Sequence, residues 1–172
     1  MPKKIAILSS NGFEVTELTG PKKAFEDAGH QVDVVSPSSG TIRAYNDDSD
    51  KGKVEVDRKL SDANVADYAA LVIPGGTENS DALRNDSKAV QFTKDFAAAG
   101  KPVAAICHAP WVLAEAGLAS GRDMTSYPGI CDDMKAAGAN WSDVEVARDG
   151  NFITSRKPED VPAFSKAVLN AL

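Results

Sequence analysis

Gly100-Lys101-Pro102-Val103-Ala104-Ala105-Ile106-Cys107-His108-Ala109-Pro110-Trp111-Val112-Leu113-Ala114-Glu115-Ala116-Gly117 is the stretch whose reading decides the fold. Gly100 to Pro102 is a turn signal. Val103 to Ile106 is a short apolar run of the kind that forms a strand buried on both faces. Ala109 to Ala116 reads as a helix stopped by Gly117, with Pro110 tolerated in its first turn. Cys107 sits at the junction of strand and helix, and it has two readings. It is a small buried hydrophobe, as cysteines at strand ends often are. Or it is a nucleophile lifted out of the sheet by a sharp turn, the cysteine counterpart of a nucleophile elbow. A helix N-terminus behind it supplies N–H groups and partial positive charge, which favour a thiolate and draw its pKa toward neutrality.

Outward from this stretch the alternation of strand and helix repeats. Ile5 to Leu8 reads as a first central strand, and Ser9 to Gly12 as the turn after it. Helical pattern runs on to Ala28, with Gly29 as its stop. Pro21 places the start of that helix near Gly20, or leaves a short turn at Glu14 to Leu18 that leads into it. Val32 to Ser36 is a second strand. Thr41 to Ala44 and Val54 to Val56 alternate weakly and read as small strands. Between them, Asp47 to Gly52 is a solvated acidic turn; as a calcium loop beginning at Asp47 it would put Lys51 and Arg58 where oxygen ligands belong. Asp67 to Ile73 leads into a buried strand that ends in Pro74-Gly75-Gly76, followed by a loop from Gly76 to Asp81. Ser87 to Ala99 is a helix with Ala89, Phe92, Phe96 and Ala99 facing inward. Asp132 to Ala137 is a short helix. Val144 to Ala147 and Asn151 to Thr154 flank Arg148-Asp149-Gly150 as a hairpin. Pro158-Glu159-Asp160 opens a last helix through Phe164, Val168 and Leu169.

This order predicts an α/β, flavodoxin-like sandwich: a mostly parallel central sheet with helices on both faces, plus a small β-hairpin, in one domain over 1–172. Ligands of such sheets bind outside the carboxyl ends of the strands. Three of those ends carry Glu14 and Glu17, Gly75 and Gly76, and Cys107, so three loops distant in sequence converge on one pocket.

Composition narrows the function classes. The 172 residues suit one domain with a sizeable core. A formal net charge of -6 and a pI near 4.9 argue against nucleic acid or an anionic membrane as main partner. No apolar run has the length of a membrane span, and the N-terminus lacks the pattern of a signal peptide. Two cysteines make no disulfide framework, so the expected compartment is the reducing cytoplasm. With His30 and His108 the only histidines, no structural zinc site is expected, and no cofactor.

The segment from Gly100 to Leu118 resembles the nucleophile segment of the PfpI-type intracellular peptidases. That family belongs to the superfamily of the parkinsonism-associated deglycase and is related in fold to class I glutamine amidotransferases. Phe13-Glu14 with Glu17-Leu18, Leu71 to Gly76, Thr125 to Ile130, Asp132 to Met134 with Ala137-Gly138, and Thr154 to Arg156 match in family order across nearly the whole chain. The resemblance implies a cofactor-independent cysteine hydrolase or lyase of a stress-response group. Its substrates would be peptides, or methylglyoxal and its early protein adducts: protease, deglycase or glyoxalase-like chemistry. Cys107 would be the nucleophile, and Glu17 the carboxyl that contacts its sulfur and moves a proton. His108 would transfer protons, oriented by an acid from a neighbouring subunit; Asp81 matches that acid, and Glu78 is a second candidate. Gly75 and Gly76, with the N–H of His108, would hold an oxyanion. Glu14 and Tyr127 would line the substrate pocket. The relatives form dimers and assemblies of dimers, so a homo-oligomer is expected. The alternative is a redox-sensing stress protein or chaperone that uses oxidation of Cys107. A glutaminase subunit fits poorly, because the C-terminal third holds no histidine.

Overall fold

The computed structural model describes residues 1–172. In chain order its elements are β1 (Lys4–Leu8), α1 (Val15–Asp27), β2 (Gln31–Ser36), β3 (Thr41–Arg43), β4 (Lys53–Glu55), β5 (Arg58–Lys59), β6 (Ala70–Ile73), α2 (Thr77–Arg84) and α3 (Ser87–Ala98). They continue with β7 (Val103–Ile106), α4 (Pro110–Glu115), β8 (Asp123–Met124), α5 (Cys131–Ala136), β9 (Asn140–Trp141), β10 (Ala147–Asp149), β11 (Phe152–Ser155) and α6 (Val161–Ala171). The main sheet has seven strands in the order β10-β11-β7-β6-β1-β2-β5. Every neighbouring pair in it is parallel except β10 with β11. β3 and β4 form a separate antiparallel hairpin.

The side-chain period of two explains why the central strands are apolar throughout. Ile5, Ile7, Val72, Ala104, Ile106 and Ile153 pack on one face with Phe25 of α1 and Phe164 of α6. Ala6, Leu8, Leu71, Ile73, Val103 and Ala105 pack on the other with Phe92 and Phe96 of α3 and Leu113 of α4. Each face is thus sealed by helices, and the α/β sandwich expected from the sequence is the fold observed.

Four local expectations are corrected. Pro21 lies inside α1 rather than at its start, and the helix begins at Val15. Glu17, Leu18, Pro21 and Phe25 are its buried residues, so packing of that stripe outweighs one missing hydrogen bond. Gly20 assists: a Cβ there would lie 2.7 Å from Val161 Cγ1, so glycine lets α1 and α6 approach closely. The stretch after Gly76 is not a loop but α2, and Asp81 lies within it. The antiparallel pair at the sheet edge turns at Gly150-Asn151, with Asp149 opposite Phe152; Val144 to Val146 stay outside it. Ala99 caps α3 and is exposed, while Ala89, Phe92 and Phe96 are buried as expected.

Candidate active site

β7 ends at Ile106, and the next residue carries the backbone strain of the site. Cys107 has φ of 66°, left-handed space that a residue with a Cβ seldom adopts. Two bonds hold it there: its N–H donates to Ser155 O at 3.0 Å, and its carbonyl accepts from Tyr127 N–H at 2.8 Å. β11 and the Tyr127 segment therefore impose the turn from both sides. The sulfur-bearing residue is 8% exposed and lines a cavity of about 620 Å³.

Glu17 reaches that sulfur from the first turn of α1. Glu14 caps this helix, its Oε2 accepting from Glu17 N–H at 3.0 Å. The cap turns Glu17 inward, where it is fully buried. Neither of its carboxyl oxygens has a full hydrogen-bond partner; the Cys107 thiol and the Gly75 N–H are the polar groups that act on it. Burial, then the charge of Glu14, push its carboxyl up to about 8. Glu17 holds its proton at pH 7. The approach depends on Gly75, where a Cβ would overlap Glu17 Oε1 and lie 2.7 Å from Cys107 Cβ.

The Cys107 thiol is pushed up, first by burial and then by the Glu17 carboxylate, while the N–H groups of His108 and Gly76 pull it down. The expected fall toward neutrality is therefore not a property of the resting site. The helix behind Cys107 is only six residues long, and burial of the sulfur outweighs it. A protonated Glu17 removes the repulsion and leaves the two N–H groups facing the sulfur. Of the three groups expected to hold a substrate oxyanion, the N–H groups of Gly76 and His108 act on the sulfur and the N–H of Gly75 acts on Glu17.

His108 turns back toward its neighbour. Its Nδ1 lies 3.4 Å from Cys107 Sγ, and its Nε2 3.4 Å from Thr77 Oγ1. The ring stacks on Tyr127 at 4.7 Å between centroids and meets the edge of Trp111 at 5.2 Å. Burial lowers its pKa, so the imidazole is neutral at pH 7 and can accept a proton. Asp81 does not touch it within the chain. It is exposed and bonded to Arg84, whose guanidinium lies 3.9 Å over the Trp111 ring. Glu78 is exposed as well and lines the cavity, apart from the imidazole's hydrogen-bond partners.

The structure brings Glu14, Glu17, Gly76, Cys107 and His108 into one cavity. Tyr127 joins through its stack on His108, with 42% of its surface exposed. Sequence reasoning missed Thr77, Tyr45 and Pro158, which also line the cavity. Thr77 had a signal, a hydroxyl residue directly after the Gly75-Gly76 turn where a helix can begin. Tyr45 and Pro158 had none, since they arrive from a hairpin loop and from the segment after β11. No three His, Cys, Asp or Glu side chains are arranged to hold a metal ion. No helix is long and apolar enough to cross a membrane.

Comparison with known proteins covers nearly the full length of the chain. YraA of Bacillus subtilis, which bears a provisional cysteine-protease name, is 42% identical over 172 residues, covering 100% of this chain and 99% of YraA. "Protein/nucleic acid deglycase 2" of Escherichia coli is 40% identical over 174 aligned residues, covering 100% of this chain and 99% of the enzyme. The crystal structure of Drosophila melanogaster DJ-1beta superposes with a TM-score of 0.89 at 28% identity, covering 99% of this chain and 91% of that one. The DJ-1/PfpI family model matches residues 3–171, and the chain belongs to the DJ-1/PfpI family.

Proposed function

We propose that this protein is a cofactor-independent cysteine hydrolase or lyase acting on small carbonyl adducts, in the manner of a deglycase. The observation that carries this reading is the contact between a strained Cys107 and a buried, protonated Glu17 at the floor of one cavity. His108 Nδ1 takes the thiol proton as Sγ adds to the carbonyl carbon. The π-electron pair of the carbonyl moves to its oxygen, where Glu17 delivers its proton and the N–H groups of Gly76 and His108 face the charge. Burial of the acid keeps it protonated at neutral pH, the condition a general acid needs.

A cavity of about 620 Å³ is of small-ligand size, which favours adducts of methylglyoxal or similar aldehydes over extended peptides. The deglycase names among relatives near 40% identity support the same arm. The homo-oligomer belongs to this proposal too, with Asp81 of a second copy as the acid facing His108; the mass of the assembly in solution tests it.

The test is turnover of methylglyoxal, of a methylglyoxal-treated peptide and of a fluorogenic peptide, each with the wild type and with Cys107→Ser. Cys107-dependent loss of the first two, with little cleavage of the third, is the expected result. No Cys107-dependent turnover on any of them overturns the catalytic reading.

A further inference from the structure

The mouth of the Cys107 cavity carries a charge pattern that the chemistry above does not use. Glu14, Asp47 and Glu78 line it around the buried Glu17, and no lysine or arginine lines it at all. None of these four carboxyl groups takes part in an ion pair. They come from three separate places in the chain: α1, the loop between β3 and β4, and α2. The three around Glu17 are held by local contacts rather than by ion pairs. Glu14 caps α1 through one oxygen. Asp47 accepts from Ser49 Oγ at 2.6 Å and from Ser49 N–H at 2.9 Å, an arrangement that keeps it ionised. Glu78 packs over Gly12, where any Cβ would lie 2.8 Å from its Oε2. Arg43 and Lys51 are the basic groups that act on Asp47, and neither lines the cavity.

This is more than an acidic patch on a surface. The patch frames a half-open cavity, and at its floor lies a fully buried carboxyl whose two oxygens lack a full hydrogen-bond partner. A polar group aimed into a cavity without a bond is a place for a ligand's donor to dock. The spread of the carboxyl groups does not suit a bound metal ion, since no three of them converge. Charges of one sign at a low-dielectric mouth instead focus the field on whatever enters.

From this geometry we infer that Asp47, Glu78 and Glu14 make the cavity selective for charge, admitting carbonyl substrates that carry a positive group close to the reacting carbon and disfavouring anionic ones. The inference rests on the catalytic reading of Cys107 only for the word substrate; the selectivity belongs to the mouth. A basic side chain or free amino terminus beside the adduct meets the acidic rim. Carboxylate- or phosphate-bearing aldehydes meet repulsion, and the exposed Tyr45 offers a ring face to the incoming cation.

The test measures access to the sulfur by charge, independently of turnover. In a Cys131→Ser background Cys107 is the sole thiol, because the chain has two cysteines. Its rates of reaction with ethylammonium and ethylsulfonate methanethiosulfonates are measured at low salt and divided by the rates of the same reagents with 2-mercaptoethanol. The expected normalised ratio is about tenfold in favour of the cation, falling to within about twofold in the Asp47→Asn/Glu78→Gln double variant and at 1 M salt. A ratio near one at low salt, or one that the double variant leaves unchanged, overturns the inference. Equal rates with Cys107-dependent turnover intact remove the charge selectivity alone. A tenfold ratio without any turnover supports the selective mouth and removes the catalytic reading.

Discussion

Two carboxyl groups are buried at opposite ends of the same sheet, and their surroundings differ in kind. Asp33, on β2 toward the N-terminal ends of the strands, is 7% exposed, and its Oδ2 has both a hydrogen-bond donor and an ion-pair partner. Tyr68 Oη donates to it at 2.7 Å, and Lys4 Nζ lies 3.1 Å away. Close by, Lys101 donates to the carbonyls of Val65 and Tyr68, each at 2.7 Å. Glu17, at the C-terminal ends, is fully buried without a full hydrogen bond to either oxygen, the Cys107 thiol and the Gly75 N–H being the polar groups beside it. One end of the sheet satisfies its buried charge and is quiet. The other withholds partners, stores strain at Cys107 and keeps a proton ready for use. Buried polar groups are normally bonded, so an exception beside a nucleophile is the mark of a site rather than a fault in packing.

The largest expected break in this comparison is Cys107→Ser. Turnover falls by about 10³-fold or more, because addition to the carbonyl needs the sulfur. The urea midpoint changes little, which near- and far-UV circular dichroism together with a melt would verify.

Glu17→Gln comes next, and it separates activity from stability. Loss of the proton donor lowers kcat by about 10²-fold. Stability moves the other way above neutrality. The folded-state pKa of Glu17 is raised from 4.5 to about 8, so between those values the native protein holds a proton that the unfolded chain has released. Wild-type stability therefore falls as pH rises through that window, and by the alkaline end the loss is roughly 3–5 kcal/mol. The variant has no such slope. Urea titrations from pH 5 to 9 that show parallel curves for both proteins would contradict the assignment.

Gly75→Ala tests how close the acid and the sulfur must lie. A Cβ there meets Glu17, Cys107 Cβ and Ile106 O, the last at 2.9 Å. The expected outcome is a loss of about 1–3 kcal/mol, typical of overpacking, with turnover reduced less than in Glu17→Gln. Wild-type kinetics in a stably folded variant would show that the contact is not needed.

The smallest effect on turnover belongs to the Asp33 end. Tyr68→Phe removes one hydrogen bond to a charged group, for about 1.5–3 kcal/mol of stability and no change in kcat. A kinetic defect in this variant would break the division between the two ends.

Much of this was legible from local pattern. The runs Ile5 to Leu8, Leu71 to Ile73 and Val103 to Ile106 could be read as buried parallel strands, because apolar residues in sequence leave a strand no solvent face. Cys107 and Glu17 stood out because each follows such a strand. Pro21 misled, since its helix is stabilised by the stripe it packs against, and no window of sequence contains that partner. The setting of Asp81 was not legible either: the stretch read as a loop from Gly76 to Asp81 is α2, a helix with weak local pattern.

What the chain's own order of residues determined is the alternation of strand and helix, and with it the end of the sheet where chemistry collects. Short-range sterics and side-chain period suffice for that. What only the tertiary structure decided is the chemistry itself: a thiol held at positive φ by β11, a carboxyl left protonated, and an acidic rim assembled from three separate segments. Burial and long-range charge set these properties, and both depend on groups far apart in sequence that meet only when the sheet has formed.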